Sequence, residues 1–405
     1  MVSRPESWKE VSLGDVAYEL ADSVNPLVTP NQLFTEYSMP AFDNRKKATV
    51  VPSSAMLSAR RRIIEPCVLV NKLNVRKRRV WSVLHPEENA VSSFEFVPLA
   101  SSVLDLEFLQ YVALSDEFTA FLEAYTSGTS NSQKRVSANV ILSYLLQLPS
   151  LTEQRAIAEV LSGFDEHLAN LDELITKKKA IRDGAVEELV TGRTRIADYR
   201  DSWVTRSARE LLSDVITGGT PSTTIAEYWD GGIPWLSSTE IHQRTVSRPT
   251  RYISEEGLAN SSAQIAPAGS VLIALAGQGK TRGTSAYLTR DMALNQSLAG
   301  LVADETELYR GYLLYAVTRR YEELRGLSSG DGGRGGLNKT LLWDLRFTLP
   351  SSLEEQCAIA EVLSGMDEEI RLLAEERAKV ERLKLGAMDD LLTGRVRLPL
   401  VEEAA

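Results

Sequence analysis

The feature that most constrains this chain is an internal repeat. Residues 148–167 read LPSLTEQRAIAEVLSGFDEH, and residues 349–369 read LPSSLEEQCAIAEVLSGMDEE. The similarity continues without gaps, at an offset of 202, from 153–195 to 355–397, and roughly half of the aligned positions are identical. Both copies end in threonine, glycine and arginine, at 191–193 and 393–395. Because similar sequences fold alike, the chain is expected to contain one structure twice.

Each copy predicts one long helix. A serine followed three residues later by glutamate, at 150–153 and at 352–355, is typical of a capping box, and Gly192 and Gly394 stand where a left-handed residue ends a helix. About 40 residues with a rise of about 1.5 Å each give a helix of roughly 60 Å. Apolar residues at coiled-coil spacing predict an antiparallel helix pair. The predicted seam of this pair consists of Ile157, Leu161, Phe164, Leu168, Leu171 and Ile175 with Ile359, Leu363, Met366, Ile370 and Leu373. Further along, the seam carries the charged residues Lys178, Arg182, Arg377 and Lys384.

The segments that precede the two helices diverge from each other. Both are rich in Gly, Pro and Ser and contain short β-like runs, so we expect an α+β protein with two mixed α/β domains and an internal pseudo-twofold repeat. The predicted order is a first head at 1–149, a helix at 150–195, a second head at 196–350, a helix at 351–397 and a tail at 398–405. Residues 13–16 (LGDV) and 212–215 (LSDV) look like a shared landmark of the two heads.

Charge is distributed unevenly along the chain. The net charge is −10, but residues 351–405 hold 13 acidic and 7 basic residues, whereas residues 43–80 hold 11 basic and 2 acidic residues. A local excess of this size can attract a polyanion although the chain as a whole is acidic. Two cysteines and three histidines exclude a disulfide framework and a Cys/His zinc site, so no metal site is expected. With no apolar leader at the start and no long apolar run, we expect a cytoplasmic protein.

Taken together, these motifs resemble the specificity subunit of Type I restriction-modification systems. The resemblance is carried by the two LP…EQ…IA…L…D copies with their closing TGR, and it extends over essentially the whole chain. In the first head, residues 37–43 (YSMPAFD) and 127–131 (SGTSN) with Lys134 and Arg135 also fit. In the second head, residues 218–222 (GGTPS), 232–236 (GIPWL) and 295–296 (NQ) fit.

The resemblance implies a non-catalytic subunit that recognises DNA. Each head is then a target recognition domain for one half of a bipartite, asymmetric double-stranded DNA sequence. The two helices set the gap between the half-sites and provide docking surfaces for two methyltransferase (M) subunits, to which restriction (R) subunits are added in the full complex. No cofactor is expected in this chain, because S-adenosylmethionine, ATP and Mg belong to the partner subunits. The sequence leaves open the DNA target, the gap length and whether a restriction subunit is present.

Basic and amide side chains in the heads are the candidate DNA-binding residues, because Lys and Arg neutralise phosphates and Arg, Asn and Gln read base edges. In the first head they are Arg45, Lys46, Lys47, Arg60, Arg61, Arg62, Arg76, Lys77, Arg78, Arg79, Gln133, Lys134 and Arg135. In the second head they are Arg244, Arg248, Arg251, Gln278, Lys280, Arg282, Arg334 and Lys339. Solvated charge without a ligand is the alternative for each of them.

Two other functional classes compete with DNA recognition. Residues 274–281 (ALAGQGKT) nearly spell a phosphate-binding loop, but the first glycine is replaced by Ala274 and the following residues are a poor helix start, so nucleotide hydrolysis is disfavoured. The other alternative is a coiled-coil adaptor whose heads bind protein. Steep salt dependence of binding to duplex DNA distinguishes the DNA-recognition hypothesis from the adaptor.

Overall fold

The computed structural model describes residues 8–127, 134–196, 198–277, 280–327 and 336–399. The chain divides into two compact units, the first formed by residues 1–172 and 375–405 and the second by residues 173–374. Each unit therefore joins one head to part of both long helices, which the sequence-based division had treated as separate segments.

The first head is built from short strands and helices. Its strands are β1 Lys9–Ser12, β2 Tyr18–Glu19, β3 Ser23–Val24, β4 Leu33–Tyr37, β5 Thr49–Pro52, β6 Arg60–Arg62, β7 Cys67–Asn71, β8 Val80–Val83, β9 Ala90–Ser92, β10 Phe96–Ala100 and β11 Leu145–Leu148. Its helices are α1 Leu13–Val16, α2 Met39–Arg45, α3 Leu106–Leu114, α4 Asp116–Ala124 and α5 Ala138–Leu142, and the long helix α6 Leu151–Thr191 follows.

The second head is likewise built from short strands and helices. Its strands are β12 Trp203–Ser207, β13 Leu212–Thr217, β14 Trp229–Leu236, β15 Thr245–Val246, β16 Arg251–Ile253, β17 Gln264–Ala266, β18 Val271–Ala274, β19 Ser285–Leu288, β20 Met292–Leu294, β21 Leu298–Ala303 and β22 Arg346–Pro350. Its helices are α7 Ala208–Leu211, α8 Glu255–Ala259, α9 Arg310–Arg319, α10 Tyr321–Gly326 and α11 Lys339–Trp343, and the long helix α12 Leu353–Leu392 follows.

The two heads share one topology although their sequences diverge. In each head the first and last strands pair antiparallel, β1 with β11 and β12 with β22. One sheet has the order β3-β6-β9-β4-β5 in the first head and β17-β20-β14-β16 in the second, and its central pair is parallel in both, β4 with β9 and β14 with β20. The other sheet runs β2-β10-β7-β8 and β13-β21-β18-β19-β15. The repeat therefore includes the heads as well as the helices.

The landmark proposed between residues 13–16 and 212–215 is wrong. Residues 13–16 form α1, whereas residues 212–215 lie in strand β13. The structural equivalent of α1 is α7, because both helices begin with a capping box, at Ser12 with Asp15 and at Ser207 with Glu210. Short sequence matches misled here because capping polar residues recur in many local structures.

The long helices run antiparallel within each unit. In the first unit Lys384 Nζ lies 2.5 Å from Asp165 Oδ1, and Arg377 Nε lies 2.7 Å from Asp172 Oδ1. Residue numbers therefore increase along α6 in the direction in which they decrease along α12. In the second unit the same geometry is given by Arg182 with Asp367, at 3.0 Å, and by Lys178 with Glu369, at 2.6 Å. The charged residues on the predicted seam are thus the ones that pair the helices across it.

Every residue predicted for the seam is buried or half-buried. Ile157 and Leu161 lie in the core of the first head, together with Met388 and Leu391 from the other long helix. Ile359 and Leu363 occupy the corresponding core of the second head, together with Val186 and Val190. The start of one helix and the end of the other therefore complete the hydrophobic core of each head.

The ends of the long helices agree only in part with the caps predicted from the sequence. Gly192 and Gly394 adopt left-handed φ values of 73° and 71°, and a Cβ at Gly192 would lie 3.1 Å from the Trp203 ring. The hydroxyl of Ser150 accepts from the amide of Glu153 at 3.3 Å, as a capping box requires. The carboxylate of Glu153, however, accepts from Trp8 and Arg397, so the reciprocal half of the predicted capping box is replaced by a tertiary contact.

Candidate nucleic-acid interface

Three exposed cations of the first head lie where helix α2 ends. Arg45, Lys46 and Lys47 are exposed, and no ion pair of the described residues involves them. Lys46 adopts φ 50° and ends the helix, and its ammonium lies 5.6 Å from the centroid of the Phe42 ring. The next strand, β5, is the edge of its sheet. This turn presents three uncommitted positive charges beside a sheet edge, which suits contact with phosphate.

Three arginines of the basic segment are committed to carboxylates instead. Arg60 lies 2.5 Å from Glu36, and Arg61 lies 2.6 Å from Glu19. Arg79 is buried and donates both Nε and Nη2 to Asp43, at 2.8 and 2.7 Å. The hydrogen bond from Arg79 holds the pKa of Asp43 below its usual value. Their contact with DNA stays a prediction, and these ion pairs give the three arginines a structural role as well, because a buried carboxylate or guanidinium needs a partner of opposite charge.

Most of the remaining candidate cations of the first head are exposed, Arg78 is half-buried, and five of them are paired with carboxylates. They form ion pairs in which acidic partners come from distant segments: Arg62 with Asp22, Arg76 with Glu123, Lys77 with Asp43, Arg78 with Asp116, and Arg135 with Glu95. Lys134 is half-buried, and its carbonyl accepts from the Asn74 amide at 2.9 Å, which ties this residue to the rest of the head. Gln133 lies outside the described residues. Exposed pairs of this kind exchange easily for phosphate because each contributes little to stability.

In the second head, Arg244 belongs to the helix contact. Its Nε lies 2.7 Å from Asp367, and its guanidinium carbon lies 5.2 Å from the centroid of the Tyr315 ring. The Tyr315 hydroxyl donates to the same carboxylate at 2.8 Å, and burial followed by Asp367 raises the pKa of this tyrosine. Arg182 binds Asp367 as well, so Arg244 contributes to the contact between the head and the long helices, and its contact with DNA stays a prediction.

The other candidate DNA-binding residues of the second head differ in how exposed they are. Arg248, Arg251 and Lys280 are exposed, and Arg251 stacks on Trp229 with its guanidinium carbon 3.6 Å from the ring centroid. Lys339 lies 3.5 Å from Asp214, and Arg282 is half-buried. Gln278 and Arg334 lie outside the described residues.

The segment resembling a phosphate-binding loop has another structure. Strand β18 precedes it and strand β19 follows it, and the two strands pair antiparallel. A phosphate-binding loop needs a helix at that point. Within the described part of the chain, no group of three or more His, Cys, Asp or Glu side chains is arranged to hold a metal ion. No helix of the described ranges is both long enough and apolar enough to cross a membrane.

Sequence reasoning missed the contacts that join each head to the two long helices. Glu153 is buried and accepts from Arg397, and Glu355 is fully buried and accepts from Arg195 at 3.0 and 2.5 Å. The two arginines occupy equivalent positions two residues after the TGR motif. Their recurrence at the repeat offset was the available signal, but proximity to the glutamates depends on the antiparallel helix pairing.

Comparison with known proteins shows which sequences this chain resembles. Residues 201–382 match the sequence profile of the Type I restriction modification DNA specificity domain. Residues 201–382 therefore resemble a DNA specificity domain, and the chain is similar to specificity subunits of Type I restriction enzymes. The type I restriction enzyme MjaVIII specificity subunit of Methanocaldococcus jannaschii is 24% identical over 301 residues, which cover 69% of this chain and 68% of that protein. Alignments with other curated specificity subunits cover 64%, 52% and 44% of those relatives' lengths.

Two solved structures share the fold of this chain. One comes from work on complex assembly and conformational transition of the type I R-M system; it has a TM-score of 0.62 at 21% identity, with 97% of this chain and 100% of that chain covered. The other is the S subunit of a Type I restriction-modification system from M. genitalium, with a TM-score of 0.60 at 15% identity and with 95% and 96% covered. These similarities confirm two mixed α/β heads with two long helices.

Proposed function

We propose that this chain recognises a bipartite, asymmetric DNA target, with one half-site bound by each head. The observation that carries the proposal is that two heads of one topology present different side chains at equivalent sheet edges. The first head exposes Arg45, Lys46 and Lys47 before edge strand β5, and the second exposes Arg248 before edge strand β16 and Arg251 at its first residue. A shared scaffold with two different basic surfaces suits two different sequences read in the same manner.

The long helices suit the role of a spacer between the half-sites. Helix α6 contains 41 residues and therefore extends about 60 Å at about 1.5 Å per residue. This length is sufficient to hold two recognition modules one DNA turn apart, about 34 Å. A fixed spacing makes binding of the second half-site intramolecular, so two weak contacts give one tight complex.

The same helices suit the docking of two copies of one partner. Val160 and Val362 occupy equivalent repeat positions and are 38% and 41% exposed, and Ile181 and Leu383, also equivalent, are 50% and 53% exposed. Exposed aliphatic side chains on a charged helix favour burial against another protein. Because the pattern occurs twice, we propose that two methyltransferase subunits bind there. Methyl transfer from S-adenosylmethionine and ATP- and Mg-dependent cleavage are assigned to partner subunits, with this chain as the non-catalytic component.

Selection from random duplex DNA tests this function. The full chain, assembled with its methyltransferase subunit, is expected to enrich two short conserved blocks separated by a fixed gap. The affinity for an enriched duplex is expected to fall log-linearly with salt concentration, because phosphate contacts release counterions.

Two results would contradict the proposal. Enrichment of no sequence by a properly assembled complex would favour the coiled-coil adaptor whose heads bind protein. Enrichment of a single block would assign DNA recognition to one head alone.

A further inference from the structure

One exposed arginine of the second head is held in a fixed orientation. Arg251 is the first residue of edge strand β16, and its guanidinium carbon lies 3.6 Å from the centroid of the Trp229 ring. The ring is itself fixed, because Trp229 Nε1 donates to the Ser222 carbonyl at 3.0 Å and the ring meets Trp235 edge to face at 5.3 Å. The guanidinium therefore rests on a rigid aromatic surface.

The hydrogen-bond donors of Arg251 are available. Arg60, Arg79 and Arg244 direct theirs at carboxylates, whereas no hydrogen bond or ion pair within the described residues involves the exposed Arg251 side chain. Stacking engages the faces of the guanidinium and leaves its N–H groups in the plane free. An orientation fixed before binding also reduces the entropy lost when a ligand is bound.

We propose that Arg251 reads a guanine in the half-site bound by the second head. This inference rests on the proposed function and adds to it one base and one residue. Guanine presents two acceptors, O6 and N7, on its major-groove edge, and a planar guanidinium matches them with two parallel N–H donors. Phosphate could also bind a cation here, but it would need no aromatic support and no fixed orientation.

The equivalent position of the first head carries different chemistry. Arg251 on β16 pairs with Trp235 on β14. Trp235 directly precedes Leu236, the last residue of β14 that pairs with the parallel strand β20. In the first head the residue at that place is Glu36, and the residue opposite it on β5 is Thr49. Any effect of Arg251 on base preference is therefore confined to one half-site, which provides an internal control.

The test compares variants of the full chain, assembled with its methyltransferase subunit, by selection from a random duplex DNA library. Arg251→Gln is expected to reduce the preference for guanine at one position of one half-site by about tenfold to hundredfold, with the other half-site unchanged. Arg251→Lys is expected to lose the same preference although it keeps the charge. Arg290→Gln is the matched control, since Arg290 is an exposed arginine of the same head outside the candidate DNA-binding residues, and is expected to keep the full motif. Equal melting temperatures establish that the variants are folded.

Three outcomes separate failure of this inference from failure of the proposed function. If the unchanged chain selects a split motif and Arg251→Gln selects the same motif, Arg251 does not read a base and the proposed function stands. A uniform loss of affinity for all sequences in Arg251→Gln, rescued by Arg251→Lys, would make Arg251 a phosphate contact. If the unchanged chain selects nothing, the proposed function itself fails.

Discussion

At the scale of single residues, adjacency in sequence did not predict which cations are accessible. Residues 43–80 contain 11 basic residues, yet Arg60, Arg61 and Arg79 lie against carboxylates. Their partners are contributed by other strands and helices, 24 to 42 positions away in the chain, so a count of charges along the sequence does not show which cations are paired. The prediction of a basic surface remains for the turn at 45–47, where the helix end projects its cations into solvent.

Replacing Arg79 separates a structural cation from a DNA-binding one. Arg79→Ala is expected to lower the free energy of unfolding by about 2 kcal/mol at pH 7, because charge-assisted hydrogen bonds of this kind contribute about 1.5–3 kcal/mol. The pKa of Asp43 is lowered in the folded state, so its contribution is complete above the unfolded value, about 3.9, and is lost as pH falls through the lower folded value. The difference between the variant and the unchanged protein should therefore shrink in urea titrations below pH 4.

Lys47→Ala is the matched control for Arg79→Ala. Lys47 is exposed, so its removal should change the free energy of unfolding by less than about 0.5 kcal/mol. It should instead lower the salt dependence of DNA affinity by about one counterion. The opposite pattern, with Lys47 stabilising the fold and Arg79 setting the salt slope, would contradict this division of roles.

At the scale of elements, the structure explains why the repeat signature contains glutamate and glutamine side by side. The glutamate accepts hydrogen bonds from the arginine two residues after the TGR motif, as Glu355 does from Arg195. The glutamine fixes the head to the helix start: Gln356 accepts from the Tyr309 amide at 2.8 Å and donates to the Pro350 carbonyl at 3.0 Å. The sequence predicted both long helices from periodicity and caps, but it could not predict these tertiary partners, because they join segments far apart in the chain.

Removing the arginine of this contact should destabilise one unit. Arg195→Ala leaves the carboxylate of Glu355 fully buried without its cation, and the expected cost is about 3 kcal/mol. Hydrogen exchange should accelerate in the second unit and stay unchanged in the first. Arg193→Ala is the matched control, because Arg193 pairs with Glu187 and Glu188 at the exposed surface and should cost less than about 1 kcal/mol. Equal effects of the two variants would show that burial of Glu355 does not govern the stability of the unit.

At the scale of the whole molecule, the sequence predicted the order of heads and helices but not that the heads share a topology. Strand pairing such as β4 with β9 and β14 with β20 depends on backbone geometry and burial, which many sequences satisfy. The candidate site was predicted less well than the fold. Its accessible residues are set by local turns and by stacking, as for Arg251 on Trp229, and neither leaves a periodic pattern.

The spacer role makes a prediction about length. Residues 166–172 of α6 face residues 377–383 of α12 in the first unit, as Asp172 with Arg377 shows. Deleting these two seven-residue segments shortens the helix pair by about 10 Å and keeps the apolar residues on the face between the helices. The gap between the half-sites is expected to shorten by about three base pairs, while both conserved blocks stay the same in DNA selection. Changed blocks with an unchanged gap would contradict a spacer role for the helices.

The division of the chain into units has a consequence for biosynthesis. The second unit is one continuous segment, residues 173–374, whereas the first needs residues 375–405 in addition to residues 1–172. Met388 and Leu391, which lie in the core of the first head, and Arg397, which binds Glu153, are translated after the whole of the second unit. The head that is translated first therefore completes its core only after the second unit has been made, and until then its exposed apolar surface favours aggregation.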